Sequence, residues 1–253
     1  MIKKDKQILC IKNIFHDILS ITMPAVPGFA HAVYIVKTTD NKYICRFSNK
    51  ATAKHNLNIS KLLLSRNIKV PDVSVHEFED LCCETYPFID GKTFYERMLE
   101  GITDKEKDKI YEQLFDLSHK IASVQYDSKS VNSHENIFAK TAEKMFAFVN
   151  PHEKKALAYA DLNTKNVLLD KNDNVCALLD LDSVDERNFS FGFVSMMCST
   201  KTGGYFSKKT VEKYTLTHPK SRLSMQKQIQ IYNCLIWLYI NIIRKHMLNL
   251  KAK

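Results

Sequence analysis

The 253-residue sequence predicts an α+β chain of two lobes, a small β-rich N-terminal one and a larger, mainly helical C-terminal one. Three observations carry that expectation. Residues 30–49, AHAVYIVKTTDNKYICRFSN, hold two β-rich runs joined by the turn-forming TTDNK, a hairpin signal. Beyond Asp90-Gly91 the apolar spacing changes from strand-like to helical, as in KDKIYEQLFDLSHKIASVQ and NIFAKTAEKMFAFVN. Within that helical part, residues 156–183 hold two further apolar runs around a polar turn.

In chain order, a first helix is expected at about residues 4–18, followed by the hairpin. KATAKHNLNISKLLLSRN then places Leu57, Lys61 and Leu64 near one helical face, with Leu62 and Leu63 beside it. Pro71 returns the chain to an extended path, and LCCETYPFIDG reads as a strand stopped by Pro87 and the Asp90-Gly91 turn. The expected lobes are residues 1–90 and 91–253. Residues 92–150 read as helices ended by Pro151. After the two short strands the remainder reads as helical, apart from the KTGGYFSKK loop. No internal repeat or low-complexity tract is evident.

With 45% hydrophobic residues the chain has ample core-forming material. Seven cysteines without a CxxC pair or zinc spacing read as reduced, mostly buried thiols of a cytoplasmic protein. The basic N-terminus lacks a continuous apolar signal core. The 16-residue run between Lys227 and Arg244 is too short and too interrupted by amides for a membrane span, and reads as a buried C-terminal helix. Net charge is +9, yet residues 201–253 hold eleven Lys and Arg against Glu212 alone, leaving −1 for the rest. That end would attract anions, but a solvated basic face is the simpler reading, and no nucleic-acid partner is expected.

Asp170, Asn172 and Asn174 match the opening of a calcium loop, but Val175 stands at its glycine position and Leu181 at its closing glutamate. They read as a hairpin turn. Asp161, Asn166 and Asp180 ask for more. Phosphoryl transfer needs a carboxylate to orient and deprotonate the attacking hydroxyl, and oxygen ligands that hold magnesium on the phosphates. A loop with an acid and, five residues on, an amide, followed by a hairpin ending in an acid, supplies all three.

On these residues the chain resembles the aminoglycoside phosphotransferase and choline kinase family, relatives of the protein kinases. The motif His-Gly-Asp-Leu-x-x-x-Asn, three apolar residues, then Ile-Asp-x-Asp/Glu corresponds to Tyr159, Ala160, Asp161, Leu162, Asn166, VLL and LDLD at 179–182. The resemblance spans roughly residues 25–200 and implies a two-lobed protein-kinase-like fold. It implies Asp161 as catalytic base, Asn166 and Asp180 as magnesium ligands, and Asp182 as a further acid nearby. It also implies Arg46 of YICRFSN as the third-strand base that reaches the ATP phosphates, Tyr86 to Phe88 as the adenine hinge, and Gly28 in the phosphate loop.

Tyr159 and Ala160 depart from the motif's His and Gly, and Asn56 stands where a helix glutamate pairs with the third-strand base. A direct Arg46–Asn56 hydrogen bond is the expected replacement. The implied activity is transfer of the ATP γ-phosphate to a hydroxyl of a small molecule. Because an aminoglycoside pocket needs acidic residues, a neutral or anionic acceptor such as a sugar or glycan precursor is expected first. Choline, ethanolamine or an aminoglycoside is the alternative. A degenerate nucleotide-binding protein is a further one, and a nucleic-acid binder using the basic end is the last. Trp237, Tyr232 and Tyr239 are candidates for a cation cage, but their apolar helix favours packing.

Overall fold

A computed structural model of the chain describes residues 2–24, 31–127, 137–198, 205, 207–218, 220–235 and 237–238. Helix α1 (Ile2–Ile14) leads into β1 (Ile18–Thr22), β2 (Ala32–Thr38) and β3 (Lys42–Ser48), then α2 (Lys50–Leu64), β4 (Ser74–Phe78) and β5 (Leu81–Pro87). The five strands form one antiparallel sheet in the order β1-β2-β3-β5-β4. The hairpin is as expected. The first helix stops at Ile14 instead of continuing to residue 18, because the segment from Ile18 pairs with β2. Strand β4 was not expected; its half-polar Ser-Val-His-Glu-Phe run lies on a sheet edge.

Strand alternation divides the sheet's two faces. Cys45 and Phe47 of β3, Tyr34 and Val36 of β2, and Cys83 of β5 pack with Cys10 and Ile11 of α1 into a small core. The intervening residues, Arg46 on β3 and Glu84 on β5, therefore share the opposite face, and they are register partners.

Helix α2 starts at Asn49, whose side chain accepts from the Thr52 N–H at 2.9 Å. It ends at Leu64, and the turn that follows passes through Asn67, whose left-handed φ of 54° suits an asparagine. Its buried face runs through Thr52, Ala53, His55, Asn56, Ile59, Ser60 and Leu63. The face expected from Leu57, Lys61 and Leu64 is met only in part: Leu64 packs against the core, but Lys61 is exposed, and Asn56 is turned inward toward the acidic groups described below.

Gly91 turns the chain out of β5. A Cβ there would lie 2.7 Å from the Leu169 carbonyl, so glycine is required where β6 (Lys92–Thr93) meets the strand that ends at Leu169. Helices α3 (Phe94–Leu99) and α4 (Asp104–Ala122) each begin with a capping box, Thr93 with Glu96 and Thr103 with Glu106. Helix α5 (Ile137–Val149) follows. Then come β7 (Lys155–Tyr159), β8 (Val167–Leu169) and β9 (Val175–Leu178), a 3-10 turn (Leu181–Ser183), β10 (Val184–Asn188), α6 (Phe189–Met196), α7 (Lys208–Thr217) and a helix α8 at 225–235.

The β8–β9 hairpin matches expectation, and its turn is closed by Asp170, whose Oδ1 accepts from the N–H groups of Asn172 (2.8 Å) and Asn174 (2.9 Å). Strand β10 overturns the helical reading of residues 184–188. It pairs with β7, which carries the chain into the Asp161 loop. The larger core gathers Leu157, Val167, Leu178 and Val184 from these strands with Ile110, Leu114 and Phe115 of α4 and Phe193 of α6.

In the C-terminal apolar run, Ile229 and Tyr232 are buried but Trp237 is 65% exposed, so the run is not buried throughout. Tyr232 packs on Phe191 and Phe146, which removes it from any cation cage, and Tyr239 lies outside the described residues. Among the described residues no helix is long and apolar enough to cross a membrane.

Candidate active site

A cleft of about 360 Å³ lies between the sheet face that carries Arg46 and the ends of β7 and β9. Its polar lining includes His31, Arg46, Asn56, Glu84, Asp161 and Asp180, and Tyr86, Val73, Leu179 and Leu181 supply apolar wall. Arg46, Asp161 and Asp180 are thus brought together. Asn166 stands just behind, its Nδ2 donating to the Asp161 carbonyl at 3.0 Å. Gly28 lies outside the described residues.

The Asp161 loop is fixed through its backbone. The Ala160 N–H donates to the Ser183 carbonyl (2.9 Å), and the Asp161 N–H donates to Ser183 Oγ (3.2 Å). Ser195 Oγ of α6 donates to the Ala160 carbonyl (2.7 Å) and is itself held by the Tyr232 hydroxyl (2.9 Å). Both backbone polar groups of Ala160 are therefore satisfied in a packed setting. The Leu179 N–H donates to the Asn166 carbonyl (2.8 Å), joining the loop to the end of β9.

Tyr159, in the motif's histidine position, is 4% exposed and donates its hydroxyl to the carbonyls of Leu179 and, at 2.9 Å, Asp180. Burial, then the nearby Asp180, Asp161 and Asp182, hold its phenol well above the usual range, so it is a donor at any ordinary pH. Asp180 has φ 58° and ψ 70°, a left-handed conformation that costs a non-glycine residue energy and concentrates at functional sites. Burial, with Asp182 and Asp161 adding repulsion, raises its carboxyl above the usual range even against Arg46.

Arg46 is 8% exposed. Its Nη1 donates to Asp182 Oδ1 (2.7 Å) and its Nη2 to Asp182 Oδ2 (2.5 Å) and Asp180 Oδ1 (3.2 Å). Glu84, 1% exposed, accepts from Arg46 Nη1 at 3.4 Å, Asn56 Nδ2 at 2.8 Å and Ser48 Oγ at 2.5 Å. Burial alone would lower the Arg46 pKa; Asp182, Glu84 and Asp180 hold it raised. Burial would likewise raise Asp182, but His31 (3.2 Å), Arg46 and Asn56 (2.7 Å) keep it well below the usual carboxylate range.

The expected Arg46–Asn56 bond is replaced by a shared set of acceptors. Asn56 turns Nδ2 to Glu84 and Asp182, and its Oδ1 is buried without a partner. Sequence reasoning passed over Glu84 and His31 and left Asp182 without a role. A glutamate inside the apolar strand LCCETYP was the signal for Glu84. At the hinge, the Phe88 N–H is already given to the Lys42 carbonyl (2.8 Å). That makes Tyr86, opposite Ile44, a bonded ladder pair as well, so the Pro87 carbonyl between them points away from β3. Within the expected hinge at 86–88, the Phe88 N–H is thus engaged with β3 and the Pro87 carbonyl is not.

No protein-family model and no curated protein sequence matches the chain. Solved structures do. The fold is that of the aminoglycoside phosphotransferases, a protein-kinase-like fold. A thermostable mutant of aminoglycoside phosphotransferase APH(4)-Ia superposes with TM-score 0.67 at 12% identity, over 94% of this chain and 92% of that one. An aminoglycoside-3'-phosphotransferase of type VIII gives TM-score 0.64 at 13% identity over 91% and 97%. The gentamicin complex of APH(2'')-IIa gives 0.66 at 14% over 94% and 88%.

Proposed function

We propose that the chain is an ATP-dependent small-molecule kinase that transfers the γ-phosphate to a substrate hydroxyl. The observation that supports it most is the convergence of Asp161, Asp180 and Arg46 on one cleft, with Asn166 bonded to the Asp161 backbone. Residues 1–90 would hold the nucleotide and residues 91–253 the catalytic loop and acceptor. Val33, Val73, Leu179 and Leu181 suit the flat apolar faces of a purine, and the Pro87 carbonyl suits its exocyclic amine.

Asp161 then accepts the proton of the acceptor hydroxyl as the oxygen attacks phosphorus. Asn163 Nδ2, 3.2 Å from Asp161 Oδ2, orients that carboxylate. Arg46 binds the nucleotide phosphates, exchanging its contacts to Asp182 and Asp180 for phosphate oxygens.

Magnesium fits the residues present. Burial, with Asp182 and Asp161 adding repulsion, raises Asp180, and a divalent cation would relieve the cost of ionising it there. Asp180 and the amide oxygen of Asn166 would hold it, and it would neutralise charge on the transferring phosphoryl group.

For the acceptor, a neutral or anionic hydroxyl compound such as a sugar or glycan precursor is favoured by the shortage of acids in residues 201–253, where Glu212 stands alone. The second reading, an aminoglycoside acceptor, is favoured by the ligands bound in similar structures. One APH(4)-Ia structure holds ADP and hygromycin B, and the APH(2'')-IIa structure holds gentamicin. Labelled phosphate transfer from ATP to a panel of sugars, amino alcohols and aminoglycosides tests both. Transfer confined to sugars supports the first, transfer to aminoglycosides the second, and transfer to none contradicts the kinase reading.

A further inference from the structure

Arg46 is gripped from two directions that differ in kind. Asp182 and Asp180 reach it from the far side of the cleft, on the 3-10 turn and the residue before it. Their side chains are 23% and 45% exposed, so an incoming phosphate can compete for the same guanidinium. Glu84 belongs to the same sheet as Arg46, directly opposite it in register, and is almost fully buried. Its contacts to Arg46 and Ser48 come from β3 and its contact to Asn56 from α2, neither of which needs to move when a ligand enters.

Asn56 completes the arrangement. Its Nδ2 lies 2.8 Å from Glu84 Oε2 and 2.7 Å from Asp182 Oδ1, bridging two carboxylates that would otherwise face each other. A carboxylate at this helix position would be a third acid in one buried cluster. We propose that Glu84 is the positioning residue that holds Arg46 for phosphate binding, and that Asn56 is a donor because that carboxylate is supplied by β5 and not by α2. The proposal rests on the reading of the cleft as a nucleotide site.

A reversal of sign tests it. Arg46 Nη1 and Asn56 Nδ2 share Asp182 Oδ1 at 2.7 Å each, so a glutamate at position 56 would lie beside the guanidinium. With Glu84 present, Asn56→Glu adds repulsion and weakens ATP binding. In the Glu84→Gln background the same change restores a carboxylate beside Arg46 and strengthens it. A carboxylate that served only to stabilise the strand could not be replaced from the helix in this way.

ATP affinity of the full-length chain is measured by calorimetry with magnesium, with a thermal melt for each variant. Glu84→Gln is expected to weaken ATP about tenfold or more, the loss of one charge-assisted hydrogen bond. The Glu84→Gln, Asn56→Glu double variant is expected to recover most of that loss. Glu84→Asp withdraws the charge by one methylene, and is expected to weaken ATP with little change in melting. It carries the test if Glu84→Gln does not fold.

Wild-type affinity in Glu84→Gln or Glu84→Asp overturns the proposal, as does a double variant that binds no better than Glu84→Gln. Phosphate transfer is scored separately. A chain that shows this binding pattern without transfer keeps the proposal and loses the kinase reading. A chain that transfers phosphate regardless of Glu84 does the reverse. A wild type that binds no ATP overturns both.

Discussion

The Tyr159 hydroxyl lies 2.9 Å from the carbonyl of Asp180 and also donates to that of Leu179, so the strand leading into Asp161 is tied to the residue that ends the hairpin. Asp180 sits in a left-handed conformation, and its carbonyl is one end of this tie. The tyrosine that replaces the motif's histidine thus secures the spacing between two acids of the cleft.

Tyr159→Phe keeps the ring and removes a buried donor, leaving the Leu179 and Asp180 carbonyls with less hydrogen bonding. Urea unfolding is expected to show a loss of about 1–3 kcal/mol, and phosphate transfer should fall more than ATP affinity does. Unchanged stability would mean that the hydroxyl tie is dispensable.

Asp180 should trade stability for function. Its carboxyl is raised in the folded chain, so ionising it costs stability at every pH above that raised value, and the cost is relieved as pH falls through it. Asparagine also tolerates the left-handed conformation. Asp180→Asn is therefore expected to melt higher than wild type at pH 7 without ligand, an advantage that fades toward acid pH, and to abolish magnesium-dependent transfer. Melting curves across pH, with and without magnesium, check this.

Gly192 of α6 has its Cα so close to β7 that a Cβ would stand 3.0 Å from the Tyr159 carbonyl. Gly192→Val should push the helix from the strand, costing about 1–3 kcal/mol and slowing transfer by displacing Ala160. Chemical unfolding and steady-state rates of the variant measure both effects.

Much of the fold was legible because it rests on local signals. The β2–β3 hairpin, α2, β5 and the β8–β9 hairpin each carry a periodicity and a turn of their own. Strands β1, β4 and β10 are each short and half-polar, so no apolar alternation marks them; β10 becomes a strand through a partner distant in sequence, and β4 through its hairpin with β5. Residues 184–188 pair with 155–159.

The site divides along the same line. Asp161, Asn166 and Asp180 lie within twenty residues, so their spacing alone marks them as candidates. Glu84 and His31 act through contacts with residues 38 and 151 positions away, which no local pattern records. The buried face of α2 was misjudged because it follows charge, with Asn56 turned inward to meet two carboxylates.

The most direct measurement is phosphate transfer from ATP with magnesium, comparing wild type with Asp161→Asn while ATP affinity is followed in parallel. With Asp161 as the base, transfer should fall by about 10²–10⁴-fold and ATP affinity should stay within about twofold, since each factor of ten is about 1.4 kcal/mol. Equal transfer by both proteins would contradict that role, and binding of ATP without transfer by wild type to any acceptor would contradict the kinase reading itself.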